Sequence, residues 1–561
     1  MTARDALDRF FDAGYRRRPV TATFTGVHDF DDAVPDWSPE GLAAAIDEMR
    51  ALRRGLDEAG RVPDADVCRY PDEVDLALAD GYLEIQIAEH EGPHFYRGNP
   101  ALWTGEAIFS IVSLVTRDFA PVDLRVEALV ARLGEIPRLL ADARRTLVDA
   151  PDAWRARALR ECDAASLLLG RSLPSWVITC GVSLRLANAA LQAFAGAHGA
   201  FNAFAAWMRT ELPACPAAHR VAGRDLLGLL LRRGHWRHES SEALLGASTH
   251  ELTEARAQLD RDARALSPDG WSGVQALLTA EHPSLDDYLP RFERTWTRAR
   301  EAALAHDLVS WPDFPIRYVP IPEHTAEAAP LLYYLFYRSP AAFDRLPVHD
   351  YVVTPVEPGM TEDEQKRRLG AANDSVITLN HVIHHGGLGH HVQNWNAYHA
   401  SSRIGQVAAI DTASRIAMFC GGSLAEGWAC YVCDVMEEIG FLTPLERVAQ
   451  QHTRVRLLAR AVVDLSLHTG AMTPEQAVAF YETQGLMPAA AAAGEAVKTA
   501  MFPGTAAMYW LGTSGIHSLR RQVQAREGER FSLRRFHDRF LSYGAIPVAL
   551  IARLMSAVGH E

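Results

Sequence analysis

Apolar residues recur at three- and four-residue spacing along most of the chain, the pattern of helices that each bury one face. The first clear example, Ser38–Leu56, opens with Ser-Pro, a typical helix start. The same spacing predicts helices at Glu73–Glu91, Val122–Leu147, Ala153–Leu169, Ser183–Thr210, Thr249–Ala265, Ser284–Ala305 and Pro444–Leu467. Strand-like alternation is scarce, and its best examples are Ile316–Ile321 and Asp350–Pro355. The pattern therefore predicts a mainly α protein with bundle-like helix packing and a few short strands.

The two candidate strands lie just before a segment rich in histidine, and this suggests a division of the chain. Residues 1–307 form the predicted N-terminal helical half, and residues 308–561 form a C-terminal half that carries the strands and the histidines. The alanine run at Ala489–Ala493 is interpreted as a loose turn or a helix start rather than a hinge. Since no low-complexity linker separates the halves, we expect one continuous body.

Composition narrows the class of protein. The 561 residues are 48% hydrophobic and 22% charged, which supports a globular core, and the formal charge of -14 is spread along the chain. A nucleic-acid partner is not expected, because such proteins need a dominant basic surface. No membrane segment or signal peptide is predicted. The odd number of scattered cysteines, seven, is typical of a reducing compartment, so we predict a cytoplasmic protein.

The candidate chemistry lies in Thr378–His399, which holds six of the 23 histidines. Clustered neutral imidazoles indicate a metal site, although histidines also line polar helix faces or bond to buried carbonyls. On an unbroken helix, His381 and His385 share a face and form one possible ligand pair. His384 and His390 form the other pair, provided that the intervening glycines deform the helix.

The segment His384–Gln393, HHGGLGHHVQ, resembles the HExxPGHHxQ motif of the bacterial domain-of-unknown-function family 885, which is grouped with gluzincin-like zinc metallopeptidases. Further segments resemble the family in order along nearly the whole chain: Thr21–Asp32, Asp118–Arg125, Arg132–Pro137, Glu426–Tyr431 (EGWACY), Asp464–His468 (DLSLH), Pro503–Tyr509, Leu519–Arg520 and Arg535–Pro547. The resemblance implies a large, two-lobed, zincin-like helical body. It also implies zinc bound by His384, His390 and Glu426, with one coordination position open to water or substrate.

The chain departs from that motif at the position that matters most for catalysis. The family has glutamate, the general base, after the first histidine, and this chain has His385. A neutral imidazole can also accept a proton, so His385 could serve as a different base. Leu388 replaces the motif's proline, and Cys433 stands where the family carries an acid. These changes indicate a retuned pocket.

Four more residues complete the predicted site. Asp464 and His468 are spaced as a pair in which a carboxylate orients an imidazole. Tyr509 is a candidate donor to a developing oxyanion, and Arg520 a candidate partner for a substrate carboxylate. Cys430 and Cys433 form a C-x-x-C, which is more typical of core thiols on a helix than of a redox motif.

Three functions follow from these features. The leading hypothesis is a metal-dependent hydrolase that cleaves an amide bond in a peptide or a small acyl-amino compound. In it, His385 acts near the metal, and Tyr509 or His468 stabilises charge on the attacked carbonyl. The alternative is an inactive homologue that keeps the pocket for ligand binding. A purely structural helical protein ranks last, because it gives no reason for six clustered histidines.

Overall fold

Helices account for most of the chain, as the apolar spacing predicts. The computed structural model describes residues 1–61, 69–332, 340–357, 359–410 and 419–557. In the first 305 residues the helices are α1 Ala3–Arg17, α2 Pro19–Thr25, α3 Pro39–Glu58, α4 Asp72–Glu91, α5 Pro100–Val115, α6 Val122–Thr146, α7 Asp152–Leu167, α8 Leu173–Thr179, α9 Leu184–Thr210, α10 Gly223–Leu229, α11 Ser241–Leu266, α12 Trp271–Ala280 and α13 Tyr288–Ala305. The later helices are α14 Glu323–Ala326, α15 Glu362–Ala371, α16 Asp374–Val376, α17 His390–Tyr398, α18 Arg403–Val407, α19 Gly422–Glu438, α20 Pro444–His468, α21 Pro474–Thr483, α22 Ala489–Met501, α23 Met508–Glu527, α24 Leu533–Leu541 and α25 Val548–Ala557. Short π-helical segments at Leu168–Ser172, Leu230–Gly234 and Ile377–Gly386 and 3-10 turns at Ala217–Arg220, Phe419–Gly421 and Gly528–Arg530 join some of them.

The mainly α fold class is confirmed, and most predicted helices end within a few residues of the observed ones. The Ser38 hydroxyl caps α3 by accepting from the Gly41 N–H at 3.0 Å. The alanine run proves to be the start of α22. The helix predicted at Thr249–Ala265 begins earlier, at Ser241, where Ser240 supplies the cap.

Both predicted strands are confirmed. Ile316–Pro320 (β1) pairs in parallel with His349–Val353 (β2), with Ile316 opposite His349 and Pro320 opposite Val353. Tyr318 and Tyr351 therefore lie side by side, with ring centroids 5.0 Å apart. Both side chains contact the histidine-rich segment that follows: Tyr351 Oη lies 2.7 Å from Nδ1 of His381, and the Tyr318 hydroxyl donates to the His381 carbonyl at 3.3 Å.

The chain packs as two compact units. The first comprises Met1–Val221, Ile321–Leu346 and Ile410–Phe419, and the second comprises Ala222–Pro320, Pro347–Ala409 and Cys420–Glu561. The division drawn from sequence at residue 307 marks where the strands begin and does not coincide with the boundary of these units. All the residues of the candidate site described below belong to the second unit.

The first unit is organised around the guanidinium of Arg132, whose side chain is fully buried. It donates to the Ala33 carbonyl at 2.9 Å, to the Thr23 hydroxyl at 2.7 Å and to the Ser113 hydroxyl at 2.9 Å. Two of the segments that resemble the bacterial family, Thr21–Asp32 and Arg132–Pro137, are thereby tied together. In this structure both segments contribute to the hydrogen-bond network around Arg132.

The described helices include none with the length and apolar content needed to cross a membrane.

Candidate metal centre

The histidine-rich segment is not a continuous α-helix. Ile377–Gly386 is π-helical, the chain turns sharply through Gly387–Gly389, and a new α-helix starts at His390. The glycines therefore separate His384 and His390 onto two helical segments, as their ligand pairing requires. This geometry differs from the unbroken helix on which His381 and His385 would pair.

The glycine turn is fixed by close packing and by two indole donors. A side chain at Gly389 would place its Cβ 1.9 Å from the His384 carbonyl oxygen, so only glycine allows this approach. The Trp296 indole N–H donates to the Gly386 carbonyl at 2.8 Å, and the Trp428 indole N–H donates to the Leu388 carbonyl at 2.9 Å. The turn between the two histidines is thus held from α13 and from α19.

Three neighbouring residues of the EGWACY segment, in the first half of α19, each shape the site in a different way. Glu426 faces the histidines, and Trp428 holds their turn. Gly427 allows α23 to cross closely, since a Cβ there would lie 2.5 Å from the Cα of Gly512. This crossing positions Tyr509, which lies one turn earlier on α23, on the wall of the same cavity as Glu426.

The predicted ligands converge. Glu426 Oε2 lies 3.4 Å from Nε2 of His384 and 3.7 Å from Nε2 of His390. Ligand atoms about 2.0–2.2 Å from a tetrahedral zinc lie about 3.3–3.6 Å from one another, so these separations are close to the edges of a zinc coordination polyhedron. Nitrogen atoms of His384, His385 and His390 also lie within 4.8 Å of one another, the one such potential metal-binding group in the described residues.

The electrostatics of the three groups fit a cation. Among the described residues, the buried Glu426 Oε2 atom has no hydrogen-bond partner. Burial raises the pKa of the Glu426 carboxyl, but the facing imidazoles of His384 and His390 outweigh it and hold that pKa well below its ordinary value. Burial lowers the pKa of His384. One carboxylate oxygen and two imidazole nitrogens form a ligand set that zinc takes in catalytic sites.

His385 adjoins this group with a defined tautomer. Its Nδ1–H donates to the Asn380 carbonyl at 2.7 Å, which leaves the lone pair on Nε2. Burial, reinforced by the neighbouring His384 and His390, places the pKa of His385 well below its ordinary value. The residue that replaces the family's glutamate is therefore a neutral acceptor.

The other three histidines of the segment have local partners. His381 bonds to the Tyr351 hydroxyl, and its ring packs 5.4 Å from that of Phe292. His391 donates from Nε2 to the Phe314 carbonyl at 2.6 Å, and the exposed His399 donates from Nδ1 to the Trp395 carbonyl at 2.7 Å. The alternative metal pair, His381 with His385, gains no third ligand in this arrangement, since His381 lies outside the histidine group.

A cavity of about 770 Å³ opens beside the centre. His384, His385, Glu426 and Tyr509 line it. The guanidinium of Arg460 lies over the Tyr509 ring, 5.3 Å from its centroid. The volume suits a small ligand.

Asp464, His468 and Arg520 are not on the cavity wall within the described chain. Asp464 accepts from the Gly504 and Ala507 N–H groups, each at 2.9 Å. His468 accepts from the Ala222 N–H at 3.0 Å and donates to the Thr499 carbonyl at 3.0 Å.

Since both Asp464 and His468 are fully buried, burial raises the pKa of Asp464 to about 7 and lowers that of His468 to about 4. Both side chains hydrogen-bond to backbone groups rather than to each other, and the Asp464 Oδ1 and His468 Nε2 atoms are 3.6 Å apart. Arg520 is paired with Glu438 at 2.8 Å. The structure thus brings five of the eight predicted residues together and places these three elsewhere.

The C-x-x-C of the sequence lies beside the site, with one thiol next to a predicted ligand. Cys430 Sγ lies 3.9 Å from Nδ1 of His384, on the side of the imidazole away from Glu426 Oε2. Burial raises the pKa of Cys430 well above its ordinary value, so the group is a thiol. The Cys433 thiol donates to the Ala429 carbonyl at 3.3 Å. Only the weak C-x-x-C signal pointed to these positions.

The comparisons agree with this fold. The chain belongs to the family described as "bacterial protein of unknown function (DUF885)", whose profile matches residues 19–555. It is similar to a "putative lipoprotein of unknown function" from Shewanella oneidensis, with 20% identity and a TM-score of 0.77 over 99% of this chain and 100% of the other. It is also similar to a "putative lipoprotein" from Colwellia psychrerythraea, with 16% identity and a TM-score of 0.76 over 100% of both chains. No curated protein matches the sequence. At these identities the two structures establish the fold alone.

Proposed function

We propose that the protein is a metal-dependent hydrolase of amide bonds, acting on peptides or small acyl-amino compounds, on a scaffold related to the gluzincin-like zinc peptidases. The observation that supports this most directly is the Glu426 carboxylate. Its buried Oε2 has no hydrogen-bond partner among the described residues and faces two histidine nitrogens at 3.4 and 3.7 Å. One carboxylate oxygen and two imidazole nitrogens lie at separations close to those between the ligands of one zinc ion, so the arrangement favours an ion among these three groups.

The roles of the residues follow from their positions. His384, His390 and Glu426 would hold zinc. When bound, zinc supplies a Lewis acid that polarises a carbonyl and lowers the pKa of water to about 7. His385 presents an acceptor nitrogen beside the ligands, in the tautomer set by Asn380, and is suited to take up a proton. Tyr509 lines the same cavity and is suited to donate a hydrogen bond to the oxygen of the attacked amide.

A second candidate, an inactive homologue that only binds ligands, is favoured by the shortage of carboxylates. Among the described residues, Glu426 and Glu495 are the acids that line the cavity. Arg460 Nε holds Glu495 at 2.6 Å. If Glu426 is a ligand, no free carboxylate remains to act as base, and the reaction depends on His385.

Substitution of His385 separates these candidates. For the hydrolase, we expect His385→Ala to lower kcat/KM of the zinc-loaded protein by about 10²–10⁴-fold, the usual contribution of a general base. His385→Glu, which restores the family's residue, should retain or exceed wild-type activity. The assay is release of amino groups from a library of N-acylated amino acids and short peptides.

His399→Ala is the matched control, because this exposed histidine of the same segment donates to the Trp395 carbonyl in its own helix turn and, among the described residues, lies outside the histidine group. Its activity should equal that of the wild type. A zinc-loaded wild type that hydrolyses nothing, together with an inert His385→Glu variant, would support the ligand-binding homologue instead.

A further inference from the structure

Two arginines project from one face of α20 into the cavity that contains the candidate metal centre. Arg456 and Arg460 are four residues apart, so they lie on neighbouring turns of the helix and repel each other. Arg460 is neutralised, because its Nε donates to Glu495 at 2.6 Å. The same pairing occupies the Glu495 carboxylate.

Arg456 has no comparable partner. In the described part of the chain it forms neither a hydrogen bond nor an ion pair, and its Nε atom is buried. Burial and the neighbouring Arg460 lower the pKa of Arg456 to about 10, so the guanidinium is charged at neutral pH. Leu457, Met487 and Pro488 also line the cavity and offer it no counter-charge. Keeping a partly buried cation without an anion costs free energy, which a bound anion would recover.

Among the described residues, the two acids and two arginines of the cavity balance in number, but one guanidinium has no acid bonded to it. Of its two acids, Glu426 faces the imidazoles of the metal centre, and Glu495 is bound to Arg460. His452 is on the same wall, but burial lowers its pKa to about 3, so it carries no charge near neutrality. Arg456 is therefore the guanidinium of the cavity, among the described residues, to which no acid is bonded, although the Glu495 carboxylate also favours its charge.

We propose that Arg456 binds a carboxylate of the substrate, a proposal that rests on the proposed amide hydrolase. A guanidinium binds a carboxylate through two parallel hydrogen bonds, which gives both affinity and orientation. The preferred substrates are then N-acyl amino acids or short peptides with a free terminal carboxylate. End-blocked peptides and neutral amides are poor substrates.

Paired substrates that differ only in charge test this proposal. Acetyl-dipeptides with a free carboxylate are compared with the corresponding C-terminal amides on the zinc-loaded protein. We expect the wild type to show a KM about 10–100-fold lower for the acid, the range of a charge-assisted hydrogen bond. Arg456→Met should raise the KM for the acid to that of the amide, with kcat little changed, and Arg456→Lys should recover part of the preference.

Arg521→Met, which alters an exposed arginine of α23, should leave both KM values unchanged. Equal KM values for acid and amide in the wild type would overturn the proposal, as would an equal effect of Arg456→Met on both.

Calorimetric titration of the protein with the same acid and amide measures binding directly, so this test does not depend on turnover. If nothing is hydrolysed but the acetyl-dipeptide acid binds, its amide does not, and Arg456→Met abolishes binding, the carboxylate site is supported and the hydrolase proposal is contradicted. If hydrolysis is observed without discrimination between acid and amide, the hydrolase stands and the carboxylate site fails. If the acid neither binds nor reacts, both fail.

Discussion

Replacing Glu426 by glutamine should lower kcat/KM of the hydrolase by about 10³-fold or more, because several kcal/mol of transition-state stabilisation depend on the metal. Glutamine keeps the size of the side chain and removes the charge that faces His384 and His390 at 3.4 and 3.7 Å. Loss of this negative charge lowers the affinity of the site for zinc. Since the facing imidazoles stabilise the Glu426 carboxylate in the folded state, the metal-free variant should unfold at a temperature no higher than the metal-free wild type.

The measurements are hydrolysis rates and thermal unfolding with and without added zinc. Zinc should raise the unfolding temperature of the wild type, because a ligand that binds only the folded state stabilises it, and should have little effect on Glu426→Gln. Glu438→Gln is the matched control on the same helix, since its ion pair with Arg520 is at the surface. A Glu426→Gln variant that keeps wild-type rates and a wild-type response to zinc would show that the carboxylate is not a ligand.

The second large effect concerns the first unit. Arg132→Met should lower the free energy of unfolding by about 3–5 kcal/mol, because the buried guanidinium satisfies several oxygens that methionine leaves without a donor. They include the carbonyls of Ala33 and Ser110 and the hydroxyls of Thr23 and Ser113. Denaturation with guanidinium chloride, followed by circular dichroism, measures the change.

Arg138→Met is the control for this experiment. Arg138 lies on the same helix, but its side chain is 41% exposed and pairs with the exposed Glu135 and with Asp142, which also pairs with Arg145. Its replacement should change the free energy of unfolding by about 0–1 kcal/mol. If the two variants unfold at the same denaturant concentration, Arg132 is not the organising residue of this unit.

The amphipathic spacing was sufficient to predict α3, α4, α6, α7, α9, α11, α13 and α20, together with both strands, but α1 and α24, which also bury one face, were not predicted. It failed for α5, because all of Pro100–Val115 is buried and the helix has no polar face to reveal its period. It also placed the start of α11 at Thr249 instead of Ser241, although the first turns carry several apolar residues. The error at α5 has a physical cause: periodicity reports the contrast between two faces, and it weakens where that contrast is small.

At the site, sequence reasoning named three residues that the structure brings together, His384, His390 and Glu426, and the need for a break between the two histidines. It did not predict the π-helical turn before the break, because hydrophobic spacing does not distinguish the two helix types over ten residues. Asp464 and His468 had a suitable spacing, but the spacing says nothing of the backbone groups that they bind. Arg456 gave no signal, since an arginine in a helix is ordinary until its surroundings are known.

The metal content of the purified protein tests the central claim most directly. We expect elemental mass spectrometry to find about one zinc per chain, the ordinary stoichiometry of a catalytic site. The zinc should be lost in His384→Ala and kept in His381→Ala, because His384 faces Glu426 whereas His381 bonds to Tyr351. Absence of metal from every preparation, even after dialysis against zinc, or equal zinc in both variants, would contradict the site proposed here.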